Sequence, residues 1–126
     1  MARKPAELTV NREDILLAAA QVFYERGYHR AKMEDIARVV DLTAGSLYHH
    51  FPAGKEEILL AVLTAGLDEV SRRIETSLQT AQTPAEKLCI AIQQHILGVT
   101  ENVSVGAAMV FEIRAMLDTP EVRDAY

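Results

Sequence analysis

Apolar residues recur along most of this chain at the three-and-four spacing of a helix that buries one side, and the pattern predicts an all-α protein. From Asn11, the residues Ile15, Ala19, Val22 and Phe23 share a face and Gly27 supplies a stop, giving a first helix of about four turns. Met33, Ile36, Ala37 and Val40 follow at i, i+3, i+4 and i+7 as a second, short helix. A tight turn at Asp41 and Leu42 leads to Thr43, an oxygen-bearing N-cap, and to a third helix anchored by Leu47 and Phe51. After Lys55, the residues Ile58, Leu59, Val62, Leu63, Gly66, Val70, Ile74 and Leu78 hold one apolar side for more than about five turns, which predicts a long helix. Gly66 within it is either a tolerated weak point or a place of close helix approach.

Thr83-Pro84-Ala85-Glu86 combines a capping threonine, a proline at the first helical position and an acid three residues after the cap. The helix it starts carries Leu88, Ala91, Ile92, His95, Ile96 and Val99 on its apolar side, so a core histidine is expected at His95. Gly98 and Asn102 fit a break, after which Gly106, Met109, Val110, Ile113, Met116 and Leu117 describe another amphipathic helix ending before Pro120. Thr119-Pro120-Glu121 opens one more helix that the chain hardly continues, and the expectation is a fragment of a longer protein.

The third helix carries the candidate chemistry. At about 100° per residue from Leu47, Gly45 and His49 point almost opposite the buried anchors, with Ser46 and Tyr48 on the flanks. A small, polar and aromatic outward face suits a helix laid in a major groove, where small residues allow close approach and hydroxyl or imidazole groups reach bases and phosphates. This is a helix-turn-helix reading.

A net charge of -5 at first argues against nucleic acid. Residues 1–55 carry eight Lys/Arg against seven Asp/Glu, a balance of +1, while residues 56–126 carry five against eleven, a balance of -6. The acidity therefore belongs to the second half, and Arg3, Lys4, Arg12, Arg30, Lys32 and Lys55 either form a basic surface around the motif or are merely solvated. Residues 1–10 have no helical period and read as a flexible arm. Cys89 is the only cysteine, so no disulfide framework forms within one chain, and a buried small hydrophobe is expected there. His49 and His50, as neighbours on a helix, diverge too far to share an ion, and no metal site, cofactor loop or catalytic constellation is found; the reading is not an enzyme. No apolar run approaches the roughly 20 residues of a membrane span and the start lacks a secretory h-region, which leads to a cytoplasmic expectation.

Glu34-Asp35-Ile36-Ala37, then Leu42-Thr43-Ala44-Gly45-Ser46-Leu47-Tyr48-His49-His50-Phe51, then Lys55-Glu56-Glu57-Ile58-Leu59, together with Ile15 to Ala20 and Phe23 to Tyr28, resemble the DNA-binding domain of the TetR/AcrR family of transcriptional regulators. The chain departs from the family's usual pattern at three places. Val40-Asp41 replaces the common Ala-Gly, so a slightly different backbone is expected; Lys32 stands where Ser or Thr caps the helix; and Phe51-Pro52-Ala53-Gly54-Lys55 is one residue longer than the usual linker.

The resemblance implies a three-helix helix-turn-helix domain over residues 11–54, followed over 55–126 by a linking helix and an incomplete effector-binding and dimerisation domain. It implies a homodimer that reads a palindromic operator in double-stranded DNA and is released by a small, apolar effector, with no cofactor and no membrane. The DNA contacts it implies are Lys32, Thr43, Ala44, Gly45, Ser46, Tyr48, His49, His50 and Lys55, with Tyr48, His50 and Lys55 on phosphates and Ala44, Gly45 and His49 on bases. His95, Met109, Phe111, Arg114 and Met116 are the candidate effector contacts, against ordinary core or solvated roles. The competing reading from another class is a small helical protein-interaction module whose Tyr-His face binds a protein.

Overall fold

The computed structural model describes residues 10–107, and among them all regular structure is helical. Six helices run in order: α1 (Arg12–Arg26), α2 (Met33–Val39), α3 (Ala44–His50), α4 (Lys55–Leu78), α5 (Pro84–Glu101) and α6 (Val103–Ala107). The expected arm over residues 1–9 and the expected helix around Met109 to Leu117 lie outside the described residues, and so do Met109, Phe111, Arg114 and Met116.

Local sequence explains most boundaries. Asn11 caps α1 in a full capping box: its side chain accepts from the Asp14 amide at 2.8 Å while the Asp14 carboxylate accepts from the Asn11 amide. Gly27, at φ 75, ends it. At α2 only half a box forms, because a lysine side chain offers no acceptor; the Asp35 carboxylate takes the Lys32 amide at 3.0 Å and also pairs with Arg26 at 3.2 Å. Thr83 and Glu86 close the box at the start of α5 as their spacing foretells, with both bonds at 3.2 Å.

One core fills the first half of the molecule. Ile15, Phe23, Ile36, Leu47 and Phe51 are fully buried, and Ile58, Leu59, Val62 and Leu63 of α4 are packed into the same cluster. The early turns of α4 thus complete the hydrophobic centre beneath α1, α2 and α3, and the remainder of its roughly 36 Å projects away from it.

The turn between α2 and α3, where a slightly different backbone was expected, is built without a glycine. Asp41 adopts φ 55, the left-handed conformation glycine would take there. Leu42 N donates to Ala37 O at 2.8 Å and Asp41 N to Arg38 O at 3.4 Å, the paired bonds of a Schellman motif. A short polar side chain tolerates this geometry better than most, at some cost in stability.

The second half differs from expectation in three places. Gly98 does not break α5, which runs on to Glu101; a Cβ at Gly98 would lie 3.2 Å from Val70 Cγ2, so the glycine lets α4 and α5 approach. His95 is exposed, not a core histidine, and Cys89 is exposed, not a buried hydrophobe. The reason is common to both: within α5 only Ile90, Ala91, Gln94, Gly98 and Val99 are even partly covered, leaving Leu88, Ile92 and Ile96 at 63%, 52% and 55% exposure among the described residues. Charge supplements this contact, since Arg73 of α4 bonds both Glu69 and, across to α5, Glu101.

Candidate nucleic-acid interface

The helix-turn-helix unit is built around α3. Leu47 and Phe51 are fully buried, which pins the helix and turns its other residues outward. Thr43 caps it, its Oγ1 accepting from Ser46 N at 3.1 Å and donating to Ser46 Oγ at 2.9 Å. That arrangement leaves the Ser46 hydroxyl proton to donate outward. Thr43, Gly45, Ser46, Tyr48, His49 and His50 are exposed and Ala44 is half-buried, so α3 leaves all of these residues at least partly accessible.

Gly45 is informative because the fold does not require it. A Cβ there would meet nothing closer than Thr43 Oγ1, at 3.9 Å, and Gly45 does not have positive φ. Its missing side chain instead keeps the outer surface of α3 low, which allows a close approach by a partner. The His49 and His50 rings stand 6.3 Å apart and nearly perpendicular, and among the described residues no cluster of three metal-binding side chains occurs.

Basic groups surround α3 unevenly. Lys32 is exposed at the start of α2. Arg38, 73% exposed, pairs only loosely with Asp35 at 3.8 Å and is a further cation beside the motif, one that the apolar spacing of α2 does not single out. Arg12 lies over the Phe51 ring, 4.5 Å from its centroid, and the Arg30 Nε donates to Arg26 O at 3.0 Å, so both serve packing and capping.

Lys55 does not point where a phosphate contact was expected. Its ammonium donates to Tyr28 O at 2.7 Å, Ala31 O at 3.1 Å and His29 O at 3.3 Å, and sits 4.4 Å from the Tyr28 ring centroid. Tyr28 itself packs on Phe23, with ring centroids 5.5 Å apart. The longer linker makes this inward turn through Gly54, which has φ 81 and ψ -150 and donates to Phe51 O at 2.9 Å. Only glycine takes such a conformation readily. A glycine immediately before a helical lysine is the signal in the sequence for this hinge, beyond the extra length of the linker.

Away from this surface, a cavity of about 170 Å³ lies between α1, α4, α5 and α6. Leu16, Val62, Val70 and Val99 give it apolar walls, Gly66 lines it, and Glu69, Arg73 and Glu101 stand among its polar members. Hydrogen bonds from Arg73 and then Arg72 hold the Glu69 carboxyl below the usual carboxylate range, and Glu69 followed by Glu101 raises the Arg73 guanidinium. His95 does not line this cavity. No described helix is long and apolar enough to cross a membrane.

Comparison with known proteins agrees with the geometry. Residues 15–62 match the family described as bacterial regulatory proteins, tetR family. The chain is 38% identical over 84 residues to the HTH-type transcriptional repressor KstR2 of Mycolicibacterium smegmatis, an overlap of 67% of this chain and 40% of that protein. Its fold matches the TetR family transcriptional regulator PfmR of Thermus thermophilus with a TM-score of 0.79 and 31% identity, covering 94% of this chain and 62% of PfmR. It matches AibR, solved in complex with isovaleryl coenzyme A and operator DNA, with a TM-score of 0.75 and 31% identity, covering 90% of this chain and 60% of AibR. The chain spans less than half the length of the curated relatives it matches. With the motif on an exposed α3, the three-helix unit beneath it and these likenesses in sequence and fold, the chain belongs to the TetR family of bacterial transcriptional regulators.

Proposed function

We propose that this chain is the DNA-reading part of a ligand-responsive repressor that binds a palindromic operator as a homodimer and lets go when a small apolar effector binds. The observation that carries the reading is α3 itself, whose anchors are buried while Gly45, with no internal need to be glycine, lies on the exposed side. Such a helix fits a major groove, with Ala44, Gly45 and His49 toward base edges and Thr43, Ser46, Tyr48, His50 and Lys32 toward the backbone. The likeness to AibR, solved with operator DNA, and to the repressor KstR2 supports the same reading.

In the effector part, the apolar cavity between α1 and α4 to α6 suits an acyl or other apolar group, and Met109, Phe111, Arg114 and Met116 remain candidates for further contacts. The AibR complex, which holds isovaleryl coenzyme A, supports an acyl effector for this chain. A ligand favouring one placement of α4 shifts the dimer between spacings that do and do not match successive major grooves, about 34 to 36 Å apart. The protein acts in the cytoplasm, where its DNA is, and it is not an enzyme.

Selection of bound duplexes from a randomised DNA library by the purified chain tests this reading. An inverted repeat with two half-sites is the expected result. A lone half-site would limit this chain to the recognition step without dimerisation, and no enrichment even at low salt would overturn DNA reading in favour of a protein-interaction module.

A further inference from the structure

We infer that Lys55 is a positioning residue for DNA recognition, a tie between the entry to α2 and the exit from α3, and not a phosphate contact. The inference rests on the DNA-reading function proposed above. An ammonium has three protons to donate, and here three carbonyl oxygens face it at 2.7, 3.1 and 3.3 Å. Its capacity is filled from within the chain, and the Tyr28 ring 4.4 Å away adds a cation-π contact. A phosphate would have to displace one of these partners.

The connectivity of the tie gives it consequence. Ala31 is buried and immediately precedes Lys32, the N-cap of α2, while Lys55 is the first residue of α4 and follows the turn that ends α3. One ammonium therefore links the two ends of the helix-turn-helix across 24 to 27 residues of sequence. Gly54 beside it is packed under Tyr48, since a Cβ on Gly54 would lie 3.4 Å from Tyr48 Cε1. Tyr48 is an exposed residue of the recognition helix, so a shift in the start of α4 reaches the DNA face through Lys55 on one side and Gly54 on the other. The carbonyls of a turn have no helix to satisfy them, which is why a fixed cation can hold this turn in one shape.

Three roles for Lys55 separate in one experiment on the whole chain. Affinity for the selected operator and for a scrambled duplex is measured across a salt series for the parent, Lys55→Met and Lys55→Arg. For a positioning role, Lys55→Met loses about tenfold in operator affinity, loses discrimination against the scrambled duplex and keeps its salt slope. Lys55→Arg fails to restore discrimination, because a planar fork cannot match three carbonyls converging on one nitrogen. A slope lower by about one unit in Lys55→Met, with discrimination kept and Arg restoring affinity, would show a phosphate contact and overturn the inference. Unchanged affinity and discrimination per folded molecule would overturn it too, reducing Lys55 to a stabilising residue. If the parent chain itself fails to discriminate, the DNA-reading function falls and the positioning role with it. The tie is then still read by hydrogen exchange in the free chain: it requires the Ala31 and Asp35 amides to exchange at least about tenfold faster in Lys55→Met while α1 amides hold, and unchanged exchange there refutes it.

Discussion

The helix-turn-helix half and the α4–α5 half both carry apolar residues at helical spacing, yet they are held together by different means. In the first, α1, α2, α3 and the early turns of α4 close around Ile15, Phe23, Ile36, Leu47, Phe51, Ile58 and Leu59, none of which reaches solvent. In the second, α5 buries no residue fully, exposes Leu88, Ile92 and Ile96, and joins α4 through a glycine contact and an ion-pair network. An apolar stripe is a capacity for burial, and it becomes stability only where another surface closes over it.

The sharpest way to break this contrast is to truncate a stripe residue in each half. Leu47→Ala is expected to cost about 2 to 5 kcal/mol in urea unfolding, whereas Ile92→Ala, at an exposed site of identical periodic logic, should stay within about 0.5 kcal/mol. Equal losses would mean that α5 is covered in solution as thoroughly as α3.

Backbone strain in the reading half offers a smaller effect of opposite sign. Asp41→Gly should raise stability by about 1 kcal/mol, because glycine takes φ 55 without a Cβ penalty. A loss instead would show that the Asp41 side chain contributes something its geometry does not reveal.

Gly45→Ala separates folding from function. The open space around Gly45 predicts unchanged stability or a gain of up to about 1 kcal/mol in thermal unfolding, while operator affinity or base preference changes. Intact DNA reading in this variant would move the close approach elsewhere on α3.

The gentlest perturbation is pH, and it acts on the other half. Because Arg73 and Arg72 depress the Glu69 carboxyl, its contribution is present above the ordinary carboxylate value and is lost as pH falls through the lowered one. After correction for the intrinsic slowing of amide exchange in acid, protection in α5 should therefore fall toward low pH more in the parent than in Glu69→Gln, with α1 unaffected. Salt should weaken the same link, as these groups are only partly covered. An α5 response that is identical in both proteins would remove Glu69 from the link.

How much was legible beforehand follows the range of the interactions. The caps at Thr43 and Thr83, the faces of α1 to α4 and the outward set on α3 depend on neighbours within a turn or two, and the sequence determined them and the family they signal. The directions of Lys55, His95 and Cys89 depend on what lies across space. Periodicity places His95 on a stripe without saying whether anything covers it, and the motif places a lysine at position 55 without saying that the Tyr28–Ala31 carbonyls will capture it. Helix propensity makes Gly98 a stop because glycine weakens helices, and only the approach of Val70 shows that its lack of a side chain is used for packing. Local hydrogen bonding and side-chain period are written residue by residue; which stripe is covered, which cation is captured and which glycine is crowded were decided by tertiary structure, since each requires a partner more than twenty residues away.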